Sequence, residues 1–494
     1  MANRLLVHTL LFVILFFQGC SGVTHIDLVD VKPADSAAVI GLTLRDGTEV
    51  SFDNPGQVVE GKVTGTVAGK VQQYELVDVD RVWIRNVAKG VLKTVGLTVL
   101  IIAGVAVLAV ALKESCPFIY SFDGKNYVFD AEPFGGATSK GLARNDYAVL
   151  EHLVPQNDSY RILVTNEVNE TQYNNMFELR VIDHPSDARI VVDEFGNIHT
   201  ITKPMPLVAA VNGDGANILE WLSRTDRAIW EPRPQHTGQP ARENIELTFA
   251  KPDGATSVKL VANVATALWG SHMIREMLNL HGDDVDNWYA ALDNNSQNVE
   301  KLKAWNLREE LYALKVYVHN GKEWIQKGVL PGGGPFIAED RALVLDISDV
   351  ATDTLRIKIS PPKGFWALNS FLVDYSDDQP VQVTSLLPKA ASNENGADVR
   401  AALTALDDQY YAMPTNDDRA QIEFAAVAPA KDLSRTFILH SQGYYNLHLE
   451  SEGRKPRYDV LTRLRDEPDA AAALSAKIYH EGQLRYRTDV AASW

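Results

Sequence analysis

Cysteine is almost missing from this chain: 494 residues carry two, Cys20 and Cys116. That excludes a disulfide-dense scaffold and any C-x-x-C redox or zinc motif, so stability has to come from a hydrophobic core, which a body of this size can supply. Cys116, beside Pro117, reads as a small buried apolar residue rather than a reactive thiol. Positive charge is in deficit as well. The 47 Lys and Arg face 64 Asp and Glu, a net −17, and a surface of that sign repels phosphate backbones, which argues against a nucleic-acid partner. The familiar catalytic motifs are also missing: no G-x-S-x-G, no H-E-x-x-H and no phosphate-cradling glycine loop ending in Lys-Ser/Thr occurs. These absences point away from an enzyme. No catalytic, cofactor-binding or metal-ligating residue is assigned, and no cofactor is expected.

What is present begins with an address. Residues 5–20 read LLVHTLLFVILFFQGC, an apolar run behind Arg4 that is short for a bilayer span and laid out like an export signal. Its end, Phe17-Gln18-Gly19-Cys20, resembles a lipobox with Gly19 before an acylated cysteine, although Phe17 and Gln18 are bulkier than the usual residues there. Lipidation of Cys20 is the expectation. A second apolar segment, TVGLTVLIIAGVAVLAVAL at 94–112, runs nineteen residues without a charge between Lys93 and Lys113, just enough to cross the hydrocarbon layer as a helix. Gly96 and Gly104 would let another helix approach closely. A transmembrane helix over 91–113 is expected, with a buried helix of the globular body as the alternative. The two segments conflict over topology. A lipid on Cys20 outside and one crossing would leave 113–494 in the cytoplasm, whereas Arg81, Arg85, Lys89 and Lys93 favour the opposite sense. An extracytoplasmic body is the preferred solution.

The rest of the chain, at 46% hydrophobic and 22% charged, has ordinary globular composition. Alternating runs around Asp46-Gly47 mark a small β domain at 24–88. A hairpin-rich domain is expected at 115–243, and a β-sandwich-like domain at 244–378 with a helical insertion over 271–311. A mixed α/β region follows at 380–494, with helices over 399–406, 459–464 and 470–479. The fold class is therefore mainly β with helical insertions (α+β): several sandwich or hairpin-rich modules plus one hydrophobic helix.

The most distinctive passage is Cys116-Pro117-Phe118-Ile119-Tyr120-Ser121-Phe122-Asp123-Gly124-Lys125-Asn126-Tyr127-Val128-Phe129-Asp130-Ala131-Glu132-Pro133-Phe134-Gly135-Gly136-Ala137. Phe118, Tyr120 and Phe122 alternate on one face, and Tyr127 and Phe129 answer them across the Asp-Gly turn, an aromatic hairpin. This passage resembles a group of uncharacterised bacterial lipoproteins with a CPF-x-Y-x-x-DG-x-x-Y-V-x-DAEPFGGA pattern. The likeness extends through Asn166-Glu167-Val168-Asn169-Glu170-Thr171 and Trp288-Tyr289. It implies an envelope lipoprotein and carries over no activity.

Candidate ligand or structural-loop residues are Asp130, Glu132, Gly135, Gly136, Trp288 and Trp366. Asp130 and Glu132 could be offered as a glycosidase pair, but residues two apart on a strand lie closer than that chemistry needs, so bonding to the Gly135-Gly136 loop is the better reading. Asp283, Asp284 and Asp286, ahead of a helix, read as capping residues rather than calcium ligands. Gly332-Gly333-Gly334, between Pro331 and Pro335, reads as a flexible connector. The tryptophans at 269, 288, 305, 324 and 366 are expected to fill a core, with an aromatic sugar platform as the alternative. Taken together, the expected role is a membrane-tethered, non-enzymatic binding or scaffold protein of the bacterial envelope. It would hold membrane lipid through Cys20 and 94–112 and an unknown envelope protein as partner, the alternative being carbohydrate binding or carbohydrate chemistry through the Trp-rich module.

Overall fold

A computed structural model describes residues 23–27, 39–44, 48–59, 62–67, 69–75, 78–85, 117–234, 240–449 and 451–492. The export-like leader with Cys20, the apolar segment 94–112 and Cys116 lie outside these residues. The chain divides into two compact units, with strands 23–85 in the first and Lys113–Thr225 together with Trp230–Trp494 in the second.

In the first unit six antiparallel strands form one sheet in the order Val23–Asp27, Val79–Arg85, Val39–Leu44, Glu49–Val59, Lys62–Val67, Lys70–Glu75. The core is small: Val39, Leu42, Phe52, Val63 and Val79. Phe52 fits because Gly56 and Gly65 have no side chain; a Cβ on either would stand 2.8 or 2.5 Å from its ring. Alternation at 58–63 suggests a single strand, yet that run spans the end of one strand and the start of the next.

The second unit holds two modules, each a pair of sheets around one core. In one, the five strands Ala390–Asn393, Arg419–Ala425, Ser159–Thr165, Phe118–Phe122 and Tyr127–Ala131 lie side by side. They face Gln382–Leu386, Glu170–His184, Ser434–Leu447 and Arg144–Val149. Ile119, Ile162, Val164 and Ile422 from the first sheet meet Phe177, Leu179, Val181 and Leu439 from the second in a common core. Strands on both sides of 185–381 thus close a single module. The intervening residues build the other, with Met205–Pro206, Trp366–Asp374, Ser257–Thr266 and Glu339–Asp346 in one sheet. Its second sheet is Ala209–Val211, Ile245–Ala250, Thr354–Ile359, Ala313–His319 and Trp324–Pro331. Its core is the larger, including Leu247, Phe249, Leu260, Val316, Ile357, Trp366 and Phe371.

The expected aromatic hairpin forms. Phe122 and Tyr127 rings stand 5.2 Å apart, Tyr120 and Phe129 5.6 Å, Phe118 and Phe129 5.3 Å. The Asp123 carboxylate accepts from the amides of Lys125 and Asn126, both at 2.7 Å, which closes the turn over Gly124 at φ +96°. The helical insertion is Leu268–Asn279, Val285–Asp293 and Ser296–Glu309; Asn295 starts the last helix by accepting from the Gln297 amide. Tyr458–Asp466 and Ala470–Ala492 are helical, and Leu464, Ala470 and Ala471 add to the larger core. The helix expected at 399–406 is only the 3-10 turn Arg400–Leu403. Bridges from Asp398 to Ser392 and from Thr404 to Met176 pin both ends, and Leu403 is its buried anchor. The architecture is mainly β with a few helices, and among the described residues no helix is long and apolar enough to cross a membrane.

Candidate functional site

The two modules meet through glycine. A Cβ on Gly135 would stand 2.4 Å from the Gly333 carbonyl oxygen, and one on Gly334 2.2 Å from the Glu132 carboxylate carbon. Gly136, at φ +80°, passes so close to Tyr312 that a Cβ would come within 2.7 Å of its ring. The stretch 332–334 is buried, which corrects the flexible-connector expectation: without side chains it packs as a thin ribbon between Glu132 and Arg341.

Beside this contact lies a buried ion network. Asp146 accepts from Arg341 at 3.0 Å and from Arg144 at 3.2 Å, and Arg341 in turn donates to Glu339 at 2.5 Å. Arg144 also donates to the carbonyls of Gly135 (3.1 Å) and Gly332 (3.3 Å), tying both glycine stretches to the same guanidinium. Burial opposes charge on Asp146, but the guanidinium groups of Arg144 and Arg341 outweigh it and hold the carboxyl below its usual range. Glu339 goes the other way. Burial pushes it up to about 7; Arg341 opposes the rise and the Asp146 charge adds to it.

The residues singled out by sequence fall into place around this junction, with different partners. Asp130 is taken up by His152, whose Nδ1 lies at 2.5 Å and whose amide donates at 3.0 Å. Glu132 accepts from the Phe336 amide at 2.8 Å, across the junction. Asp130 and Glu132 thus bond different residues, His152 and Phe336. Gly136 donates to the Tyr445 hydroxyl at 3.2 Å. Trp366 is fully buried, and its indole donates to the Glu310 carbonyl at 2.7 Å. Three more of the indoles singled out engage separate neighbours: Trp269 with Ser475, Trp305 with the Leu464 carbonyl, Trp324 beneath Lys358 and Arg356.

Trp288 sits elsewhere, between His281 (4.8 Å) and Tyr289 (5.1 Å), against a cluster that contains Phe134, Ala137, Leu278, Tyr445 and Leu447. Beside that cluster opens a cleft of about 330 Å³, formed by Val285, Asp286, Tyr289 and Asp293 of one helix and by 446–449 with Ser451. The Tyr289 hydroxyl is buried and has no hydrogen-bond partner among the described residues. Burial drives it well above the usual phenol range; Arg275 opposes that shift, while Glu170, Asp286 and Asp293 add to it. Glu170 belongs to a buried polar set in which the Gln172 amide donates to Glu170 (3.0 Å) and to Asn166 (3.2 Å). Tyr289 thus lines the cleft, Phe134, Ala137 and Trp288 belong to the cluster that shares Leu447 with it, and Asn169 and Thr171 reach its His448.

On the rim, His448 Nδ1 lies 3.0 Å from the Asn169 amide oxygen, and its Nε2 lies 2.8 Å from the Thr171 hydroxyl. The first contact makes Nδ1 the protonated nitrogen and Nε2 an acceptor. Burial and nearby Arg275 hold the imidazole below its usual value, so it is neutral at pH 7. Hydroxyl, imidazole and amide have the order of a nucleophile set, but His448 also donates its backbone amide to the Asn169 carbonyl at 3.1 Å, and the three side chains form the last rung of the ladder.

Sequence reasoning missed the rim. Asp284 stands at the N-cap of the helix Val285–Asp293 and Asp286 in its first turn, as expected near the positive end of the dipole, but the Asp284 side chain makes no capping bond: it accepts from the Tyr458 hydroxyl (3.0 Å), while Asp283 accepts from the Gly453 amide (2.7 Å) and Asp286 lines the cleft. Among the described residues no cluster of His, Cys, Asp and Glu is arranged to hold a metal ion. His448 had no local signal, because its partner Thr171 is 277 positions away. In comparisons with known proteins, the chain matches no family profile and no curated protein.

Proposed function

We propose that this chain is a membrane-tethered, non-enzymatic binding protein of the bacterial cell envelope. In this reading Cys20 carries lipid, and residues 94–112 insert in the membrane without crossing it, which reconciles the lipid with a body outside the cytoplasm. The two modules are β-sandwiches that stand outside the cytoplasm as a rigid body. The observation that carries the binding role is a cleft lined by Tyr289, whose hydroxyl is buried and without a hydrogen-bond partner among the described residues. Buried polar groups without partners are costly, and a functional cleft is one place where that cost persists. The junction suits a scaffold, since glycine ribbons and a buried ion network leave little freedom between the modules. A carbohydrate role through the Trp-rich module draws no support from indoles that face separate neighbours.

The test combines labelling with topology. Cells grown with a labelled fatty acid should yield a labelled wild-type chain, and Cys20→Ser should lose the label. Protease added to cells with a permeabilised outer membrane but an intact inner membrane should then digest the body. A labelled Cys20→Ser chain, or a body that only inner-membrane lysis exposes, would overturn the reading.

A further inference from the structure

The cleft is rich in acceptors, and its Tyr289 hydroxyl, without a partner among the described residues, can both donate and accept. Asp286 and Asp293 line it, and neither forms an ion pair among the described residues; Asp293 accepts only from the Gly141 amide, at 3.3 Å. Asn446 has its amide nitrogen engaged by the Thr138 carbonyl at 3.1 Å, which leaves its oxygen to accept. The ring proton of His448 is taken by Asn169. Arg275 donates to the His448 carbonyl at 3.0 Å and, with the acids Glu170, Asp286 and Asp293, acts on Tyr289, while Lys140 acts on Asp293. Half-buried Tyr289 supplies aromatic surface to the cleft, with the Trp288 ring 5.1 Å from its own. A ligand for such a cleft must bring donors and positive charge in a compact group, which describes an ammonium: three donors, no acceptor, and an affinity for ring faces.

We infer that this cleft binds a primary ammonium group, carried by a lysine side chain of a partner protein or by a free aliphatic diamine. The inference rests on the reading of the chain as a binding protein and names the chemistry of its ligand. The net −17 of the chain favours a cationic partner over long range, and Asp286 and Asp293 then fix the charge locally. A metal cation is the weaker fit, because no metal-holding cluster occurs among the described residues and the Tyr289 hydroxyl lies well above its usual value. A cleft of about 330 Å³ lies at the small end of ligand sites, which suits one side-chain terminus.

The probes are the blocked peptide acetyl-Gly-Lys-Gly-amide, the same peptide with Nε-acetyl-lysine, and 1,5-diaminopentane. Each is titrated by ligand-observed NMR into the full-length protein in neutral detergent. The lysine peptide should bind, and its acetylated form should bind at least tenfold more weakly. Asp286→Asn, at an exposed position, and Tyr289→Phe should each weaken the lysine peptide about fivefold or more, and raised salt should weaken it further. Tighter binding of the peptide than of the diamine assigns the ammonium to a protein partner, and the reverse assigns it to a free amine; either supports the site. Equal binding of the acetylated peptide overturns the inference, as does unchanged affinity in both variants or no binding of either amine. Loss of binding with Cys20 labelling intact sinks the ammonium and spares the tether. Binding without labelling does the reverse.

Discussion

Gly135→Ala is expected to destabilise the body by about 3 kcal/mol or more, at the upper end of what overpacking costs. The reason is the neighbour. A Cβ at this position would meet the backbone of Gly333, with the carbonyl oxygen at 2.4 Å and the carbonyl carbon at 2.5 Å, and a backbone cannot rotate aside as a side-chain tip can. Gly333 cannot retreat easily, because its oxygen accepts from the Thr266 hydroxyl at 2.7 Å and its other side faces Arg341. Gly321→Ala is the control. That residue sits at φ +96° with nothing within 4 Å of a Cβ, so its cost is backbone strain alone, roughly 1–2 kcal/mol. Denaturant midpoints of the two variants should differ clearly. Limited proteolysis of Gly135→Ala should also expose cleavage near 331–335, where wild type resists. Equal midpoints for the two variants would mean that the ribbons do not touch.

That junction shows what the sequence could and could not reveal. The aromatic hairpin was legible because every signal for it is local: rings at alternating positions and an Asp-Gly turn whose carboxylate bonds the next two amides. The helical insertion was legible for a similar reason, since Met273, Met277 and Leu278 repeat at helical spacing and end buried. The closure of one module by strands on either side of 185–381 was not legible. Pairing Ile162 with Ile422 or Leu179 with Leu439 requires knowing that the chain leaves and returns, and no window of the sequence encodes that. Gly332-Gly333-Gly334 misled because glycine between prolines usually marks a loop, and only the facing Gly135-Gly136 shows that close approach is the reason for it. The cleft was half legible. Trp288, Tyr289 and 166–171 stood out in the sequence, whereas Asp293, Asn446 and His448 became visible only where the helix meets the end of a strand.

The charge at the junction yields the second large effect. Stability of the wild type relative to Glu339→Gln should fall by up to about 3 kcal/mol as pH rises from the ordinary carboxylate range to neutrality. Glu339 has an unperturbed value of 4.5 and is pushed up to about 7 in the folded chain by burial. Between those values the unfolded chain has released the proton and the folded chain retains it. The folded state therefore binds more protons, and its stability declines with pH across that window, levelling off above it. Asp146 acts in the opposite sense and in another window: held below its usual range by Arg144 and Arg341, it stabilises the fold above that range, and the contribution is lost as acid protonates it. Glutamine at 339 keeps an oxygen for Arg341 to donate to and removes only the titration, so the variant isolates one proton from the rest of the network. Denaturant midpoints from about pH 5 to about pH 8 should converge at the acid end and separate toward the alkaline end, the variant standing higher. Midpoints that run parallel across the range would mean that Glu339 is ionised throughout, with Arg341 prevailing over burial. The two guanidinium groups would then face two full carboxylates, and the junction would be electrically balanced at neutral pH rather than one charge short.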